Sequence, residues 1–135
     1  MSGSKRSTSL NFNNPPFRTR RDIAGLRVTI MGLGLNGGGL ATARFFAANG
    51  AEVTITDKKS ADELAPSIAA LADFPSIRYV LGTHELADFS GADTVIKNPG
   101  VKLEGNPYLR AARSIETDVS VFLRFTKAPV LAVTG

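Results

Sequence analysis

The stretch Met31-Gly32-Leu33-Gly34-Leu35-Asn36-Gly37-Gly38-Gly39 restricts the possible folds of this chain more than any other. It follows an apolar run, Arg27-Val28-Thr29-Ile30-Met31, of the kind that forms a buried parallel strand. It leads into residues 40–48, which read as a helix. Gly32, Gly34 and Gly37 have G-x-G-x-x-G spacing. Between a strand and a helix, that spacing allows a tight turn, main chain that a ligand can approach unobstructed, and close packing of helix on strand. The helix start then presents unpaired N–H groups and partial positive charge to a phosphate.

The helix is expected over residues 37–49. Gly38 and Gly39 in its first turn cost roughly 1 kcal/mol each relative to Ala. Either a ligand or neighbouring backbone comes very close there, or the helix packs loosely. Asn49-Gly50 fits a left-handed helix end. Residues 52–56 read as a second strand with Asp57 at its carboxyl end, where a dinucleotide fold meets a nucleotide sugar or base. A capping aspartate in a turn is the plainer alternative. Lys58 and Lys59 follow, either solvated or lining a site for an anionic or polar ligand.

Ser60-Ala61-Asp62-Glu63 is a capping-box pattern ahead of a helical run over residues 61–72, within which Pro66 should kink or break the helix. Strands are expected at 77–81, 93–97, 114–116 and 130–133. His84, at the carboxyl end of the third strand, has no nucleophile or carboxylate tied to it and reads as a helix-start or surface histidine, with ligand contact as the alternative. Asn98-Pro99-Gly100 is a rigid turn at the end of the fourth strand, again where open parallel sheets bind ligands. Asn106-Pro107 starts a helix reaching about Arg113, and residues 118–126 look helical. Strands alternating with helices predict an α/β fold: a Rossmann-like open parallel sheet of about five strands with helices on both faces.

Composition removes several classes. The chain has no cysteine, so it has neither a disulfide framework nor a thiolate metal site, and its one histidine excludes a multi-histidine site. No apolar run reaches membrane-spanning length, so no membrane partner is expected. Lys5, Arg6, Arg18, Arg20 and Arg21 account for the basic balance, and the rest of the chain carries eleven basic residues against twelve acidic ones. Residues 1–21 read as a disordered basic extension, and no nucleic-acid partner is expected, although an RNA- or lipid-binding tail is a rival reading. The chain reads as cytoplasmic.

The glycine turn, Asp57, Val95-Ile96-Lys97-Asn98-Pro99-Gly100-Val101 and Ala128-Pro129-Val130-Leu131-Ala132-Val133-Thr134-Gly135 together resemble the Mur ligase family. Within it they are similar to the N-terminal domain of the branch that adds D-glutamate to UDP-N-acetylmuramoyl-L-alanine. That resemblance implies a cytoplasmic step of peptidoglycan synthesis that uses ATP and Mg2+ and passes through an acyl phosphate. Residues 22–128 would be the UDP-substrate-binding domain. Leu35 and Asn36 would meet the diphosphate, with Gly32, Gly34 and Gly37 shaping the turn. Asp57, Lys58 and Lys59 would lie on the uracil side, and Asn98, Pro99 and Gly100 would close over the nucleotide. Thr134 and Gly135 would open an ATP-binding loop, and residues 129–135 would begin a central ATPase domain. The chain is then expected to bind substrate but not to catalyse alone, its partners being UDP-N-acetylmuramoyl-L-alanine and the remaining ligase domains. Asn36 stands where the family often has a small hydroxyl residue. The rival enzymatic reading is an NAD(P)-binding oxidoreductase or NAD-sensing domain, which the glycine turn and Asp57 also fit.

Overall fold

Alternate residues of the first strand, β1 (Arg27–Met31), go to opposite faces, and both faces are buried. Val28 and Ile30 join one apolar cluster, while Met31 joins another and the Thr29 hydroxyl donates to the Asp88 carbonyl at 2.7 Å. A strand covered on both sides reads as a continuous apolar run, and this one does. The computed structural model describes residues 17, 20–33, 38–98, 101, 104–117 and 120–122.

The remaining elements are α1 (Gly38–Ala48), β2 (Glu52–Asp57), α2 (Ala65–Ala70), β3 (Arg78–Leu81), α3 (Leu86–Ser90), β4 (Thr94–Lys97), α4 (Pro107–Ala111) and β5 (Ile115–Thr117). All five strands are parallel, in the order β3-β2-β1-β4-β5. The chain therefore steps one way from β1 to β2 and the other way to β4. The crevice between such diverging connections, at the carboxyl ends of the strands, is where open α/β sheets hold ligands.

The two apolar clusters are the two covered faces. Ala43 and Phe46 of α1, with Leu64 and Leu71 bracketing α2, cover Val28, Ile30, Val53 and Ile55. Phe89 of α3 and Leu109 of α4 cover Met31, Val95 and Ile115. The expected α/β class, strand alternation and two-faced helix cover are thus observed. Gly50 ends α1 with φ of +91°, and the Ala51 amide returns to the Phe46 carbonyl at 3.0 Å.

Three expectations need correction. Ser60 and Glu63 do form the reciprocal capping pair, the Ser60 amide donating to the Glu63 carboxylate at 3.0 Å and the Glu63 amide to the Ser60 hydroxyl at 3.3 Å, but over a turn rather than a helix end. Helix α2 starts only at Ala65, so Pro66 opens it instead of kinking it, its missing N–H falling where no intrahelical partner exists. Phe17, assigned to the extension, is a core residue, 1% exposed and edge-on to Phe46 at 5.5 Å, and Arg20–Ile23 form a 3-10 turn that buries Ile23. The helix expected at 118–126 is described only at residues 120–122, which are helical, and the strand at 130–133 lies outside the described residues.

Candidate functional site

The exit of β1 is shaped by Gly32 and by what crosses it. Gly32 has φ of +93°, a conformation that favours glycine, and a Cβ there would lie 3.1 Å from the Asn98 Cβ. The Gly32 amide donates to the Thr56 carbonyl at 2.8 Å, so the turn is pinned to β2. A side chain at Gly39 would run into the carbonyl oxygens of Gly32 and Leu33. At this glycine, then, neighbouring backbone makes the close approach.

Asp57 holds the same turn from the other side. Its Oδ2 accepts from the Leu33 amide at 2.9 Å, a buried bond, and its Oδ1 accepts from the Lys59 amide at 2.9 Å. The carboxylate is thus placed by two main-chain donors, and Lys59 enters through its amide. Asn98 abuts Gly32, its own amide donating to the Met31 carbonyl at 3.1 Å. The Lys97 ammonium donates to the Val101 carbonyl at 2.9 Å and steadies the loop that follows β4.

A cavity of about 460 Å³ opens at this end of the sheet. Met31 and Gly32 from β1, Asp57 and Lys58 from β2, His84 from beyond β3, and Val101 with residues 104–108 from the β4–α4 connection line it. It is large enough for part of a nucleotide ligand. Of the residues singled out in the sequence, the structure gathers Gly32, Asp57 and Lys58 on its wall, with Asn98 behind Gly32. Lys59 does not line it. Gly34, Leu35, Asn36, Gly37, Pro99, Gly100, Thr134 and Gly135 lie outside the described residues.

His84 lies at a helix start, as expected, immediately before the Glu85 N-cap of α3, but it is buried rather than on the surface. It is 9% exposed, its Nδ1 lies 2.7 Å from the Thr56 hydroxyl, and its ring meets Phe89 and Tyr108 edge-on at 5.9 and 5.2 Å. Burial lowers its pKa below the ordinary histidine value, the Lys58 ammonium lowers it further, and the Asp57 carboxylate partly opposes both. The ring is therefore neutral at physiological pH. Sequence reasoning also missed Tyr108 and Glu104 as cavity residues. The one available signal was the Asn106-Pro107 helix start: the Asn106 side chain accepts from the Tyr108 and Leu109 amides at 3.0 and 3.1 Å, which fixes Tyr108 at the mouth of α4. Among the described residues, no group of three or more His, Cys, Asp or Glu is placed to hold a metal ion, and no helix is long and apolar enough to cross a membrane.

Residues 26–121 match the family model described as Mur ligase MurD-like, N-terminal domain. The chain is 58% identical over 115 residues to the UDP-N-acetylmuramoylalanine–D-glutamate ligase of Borreliella burgdorferi (strain ZS7), covering 84% of this chain and 25% of that one. It is 52% identical over 122 residues to the ligase of the same name from Treponema pallidum (strain Nichols), covering 87% and 23%. With the ligase of that name from Roseiflexus sp. (strain RS-1) the identity is 45% over 117 residues, covering 84% and 25%. The chain spans about a quarter of the length of the curated relatives it matches. Among solved structures, a bacillithiol disulfide reductase from Bacillus cereus is similar with a TM-score of 0.37 and 21% identity, covering 56% of this chain and 28% of that one, too slight a likeness to bear on function.

Proposed function

Because the chain belongs to the MurD-like N-terminal domain family of Mur ligases, we propose that it binds UDP-N-acetylmuramoyl-L-alanine by its UDP moiety. The parent activity is ATP-dependent addition of D-glutamate to that nucleotide in cytoplasmic peptidoglycan synthesis. The observation that carries this reading is the match of residues 26–121 to the family model, joined by 58% identity over 115 residues to a UDP-N-acetylmuramoylalanine–D-glutamate ligase. The cavity supports it: it opens where β1 and β2 end, beside the glycine turn that leads into α1.

The division of labour follows from the chemistry of each group. The diphosphate is assigned to Gly34, Leu35, Asn36 and Gly37, which in the sequence precede α1, an eleven-residue helix whose N-terminus favours an anion. Lys58 lies on the cavity wall and supplies positive charge. Asp57 holds the turn through Leu33 and, with Lys58, faces the uracil side, while Lys59 acts through its amide, which donates to Asp57. Asn98, Pro99 and Gly100 close over the nucleotide from β4. The binding domain takes in Phe17 and the Arg20–Ile23 turn as well as the 22–128 span read from the sequence. Thr134 and Gly135, within 129–135, begin the ATP-binding loop of a following ATPase domain, which uses ATP and Mg2+. This chain's part is to bind and orient the nucleotide, and the acyl transfer belongs to the remaining ligase domains.

Calorimetric titration of the 135-residue chain with UDP-N-acetylmuramoyl-L-alanine, UDP and NADPH tests this. The uridine ligands should bind and NADPH should not. Gly34→Val should abolish uridine binding while the circular dichroism spectrum stays unchanged, because a branched side chain then stands where the diphosphate approaches. A preference for NADPH, or full uridine affinity in Gly34→Val, would defeat the reading.

A further inference from the structure

We propose that His84 Nε2 is a hydrogen-bond acceptor that reads a donor group on the uridine of the bound ligand, its lone pair set in place by a relay running from Thr83 through Thr56. This rests on the uridine-nucleotide reading above and adds to it a residue that decides specificity.

The relay follows from proton counting. The Thr56 hydroxyl lies 3.2 Å from the Thr83 carbonyl oxygen and 2.7 Å from His84 Nδ1. A hydroxyl has one proton, and a carbonyl oxygen can only accept. Both contacts are satisfied when the Thr56 O–H donates to Thr83 and His84 Nδ1–H donates to the Thr56 oxygen. Burial and the Lys58 ammonium keep the ring neutral, so Nε2 then carries a bare lone pair.

The described residues leave that lone pair unused. Nε2 has no hydrogen-bond partner among the described residues, yet it is not sealed from solvent, and the residue lines the cavity while being only 9% exposed. The edge-on contacts with Phe89 and Tyr108 hold the ring in one orientation. Each oxygen of the neighbouring Asp57 carboxylate already accepts a main-chain N–H, whereas among the described lining side chains the Glu104 carboxylate, on the β4–α4 connection, and the His84 Nε2 accept none. A ligand that donates there satisfies it, whereas one that presents a lone pair or a methyl group leaves it unpaired. Uridine has two kinds of donor, the imide N3–H of the base and the ribose hydroxyls.

The test is a coupling measurement. The 135-residue chain, His84→Phe and Thr56→Val are each titrated with UDP, 3-methyluridine diphosphate and 2′-deoxyuridine diphosphate. The unaltered chain should lose about tenfold in affinity for one of the two analogues, and which analogue loses identifies the donor. In His84→Phe that difference should disappear, because the acceptor is gone. In Thr56→Val it should shrink, because the imidazole proton is then free to occupy either nitrogen. Should His84→Phe not fold, Thr56→Val decides by the same comparison. An analogue penalty that persists undiminished in the variants, or no penalty for either analogue, overturns the inference while leaving UDP binding intact. Failure of UDP to bind at all removes the uridine reading and this inference with it.

Discussion

Asp57 and Leu33 are joined by a buried 2.9 Å hydrogen bond that ties the end of β2 to the exit of β1. They stand 24 residues apart in sequence, and the bond makes the aspartate part of the glycine turn's construction as well as part of the cavity wall. Asp57→Ala should therefore lower stability by about 2 kcal/mol, the scale of a hydrogen bond to a charged group, and weaken UDP binding as well. Asp57→Asn keeps one oxygen acceptor and should lose roughly half as much. Urea midpoints and calorimetry on the two variants check this. An alanine variant that unfolds with the wild type would mean that the turn stands without the carboxylate.

Phe17 belongs to the core despite its setting among prolines and arginines. Its ring sits edge-on to Phe46 and is almost wholly buried. Phe17→Ala should cost about 3 kcal/mol, as other large-to-small changes in cores do. Thermal unfolding would show this as a large drop in Tm. An unchanged Tm would place the residue outside the folded unit.

Asn106 caps α4 by accepting two amide bonds, from Tyr108 and Leu109. Asn106→Ala should cost about 1 kcal/mol and lower Tm by about 5 °C. Asn106→Asp should restore most of the loss, since a carboxylate accepts the same bonds next to the helix start. Failure of the aspartate to rescue would argue against the capping role.

The lowered pKa of His84 gives stability a slope with pH. The folded chain favours the neutral ring, so below the ordinary histidine value of about 6.5 the unfolded chain binds the proton more readily. This contribution is whole above that value and is lost as pH falls through the lowered folded pKa. Lys58 opposes the proton, Asp57 favours it, and Glu104 and Tyr108 line the same cavity. Denaturant midpoints measured from pH 8 to pH 5 should fall more steeply for the wild type than for His84→Phe. Parallel slopes would show that the ring takes no part.

Much of the fold was legible because strands buried on both faces read as apolar runs, and the glycine spacing after Met31 marked which strand comes first. Asp57 could be seen as the end of β2, but its bond to Leu33 could not, since nothing in the sequence tells which main-chain donor a carboxylate will find. The burial of His84 was hidden for a similar reason: its partner, Thr56, lies 28 residues earlier, on the face of β2 opposite Val53 and Ile55. Phe17 had no periodicity around it to reveal its burial. Pro66 was visible, but whether a proline breaks a helix or begins one depends on where the preceding turn ends, and the buried Leu64 sets that.

Strand order also bears on how the protein is made. β1 lies at the centre of the sheet, yet Asp93, whose side chain caps its first amide, comes 66 residues after Arg27. At about 5–20 residues per second, a ribosome needs several seconds to deliver that segment. For that interval one hydrogen-bonding edge of a strongly apolar strand stays open to any neighbouring nascent chain. That edge is closed only when β4 arrives and pairs with β1.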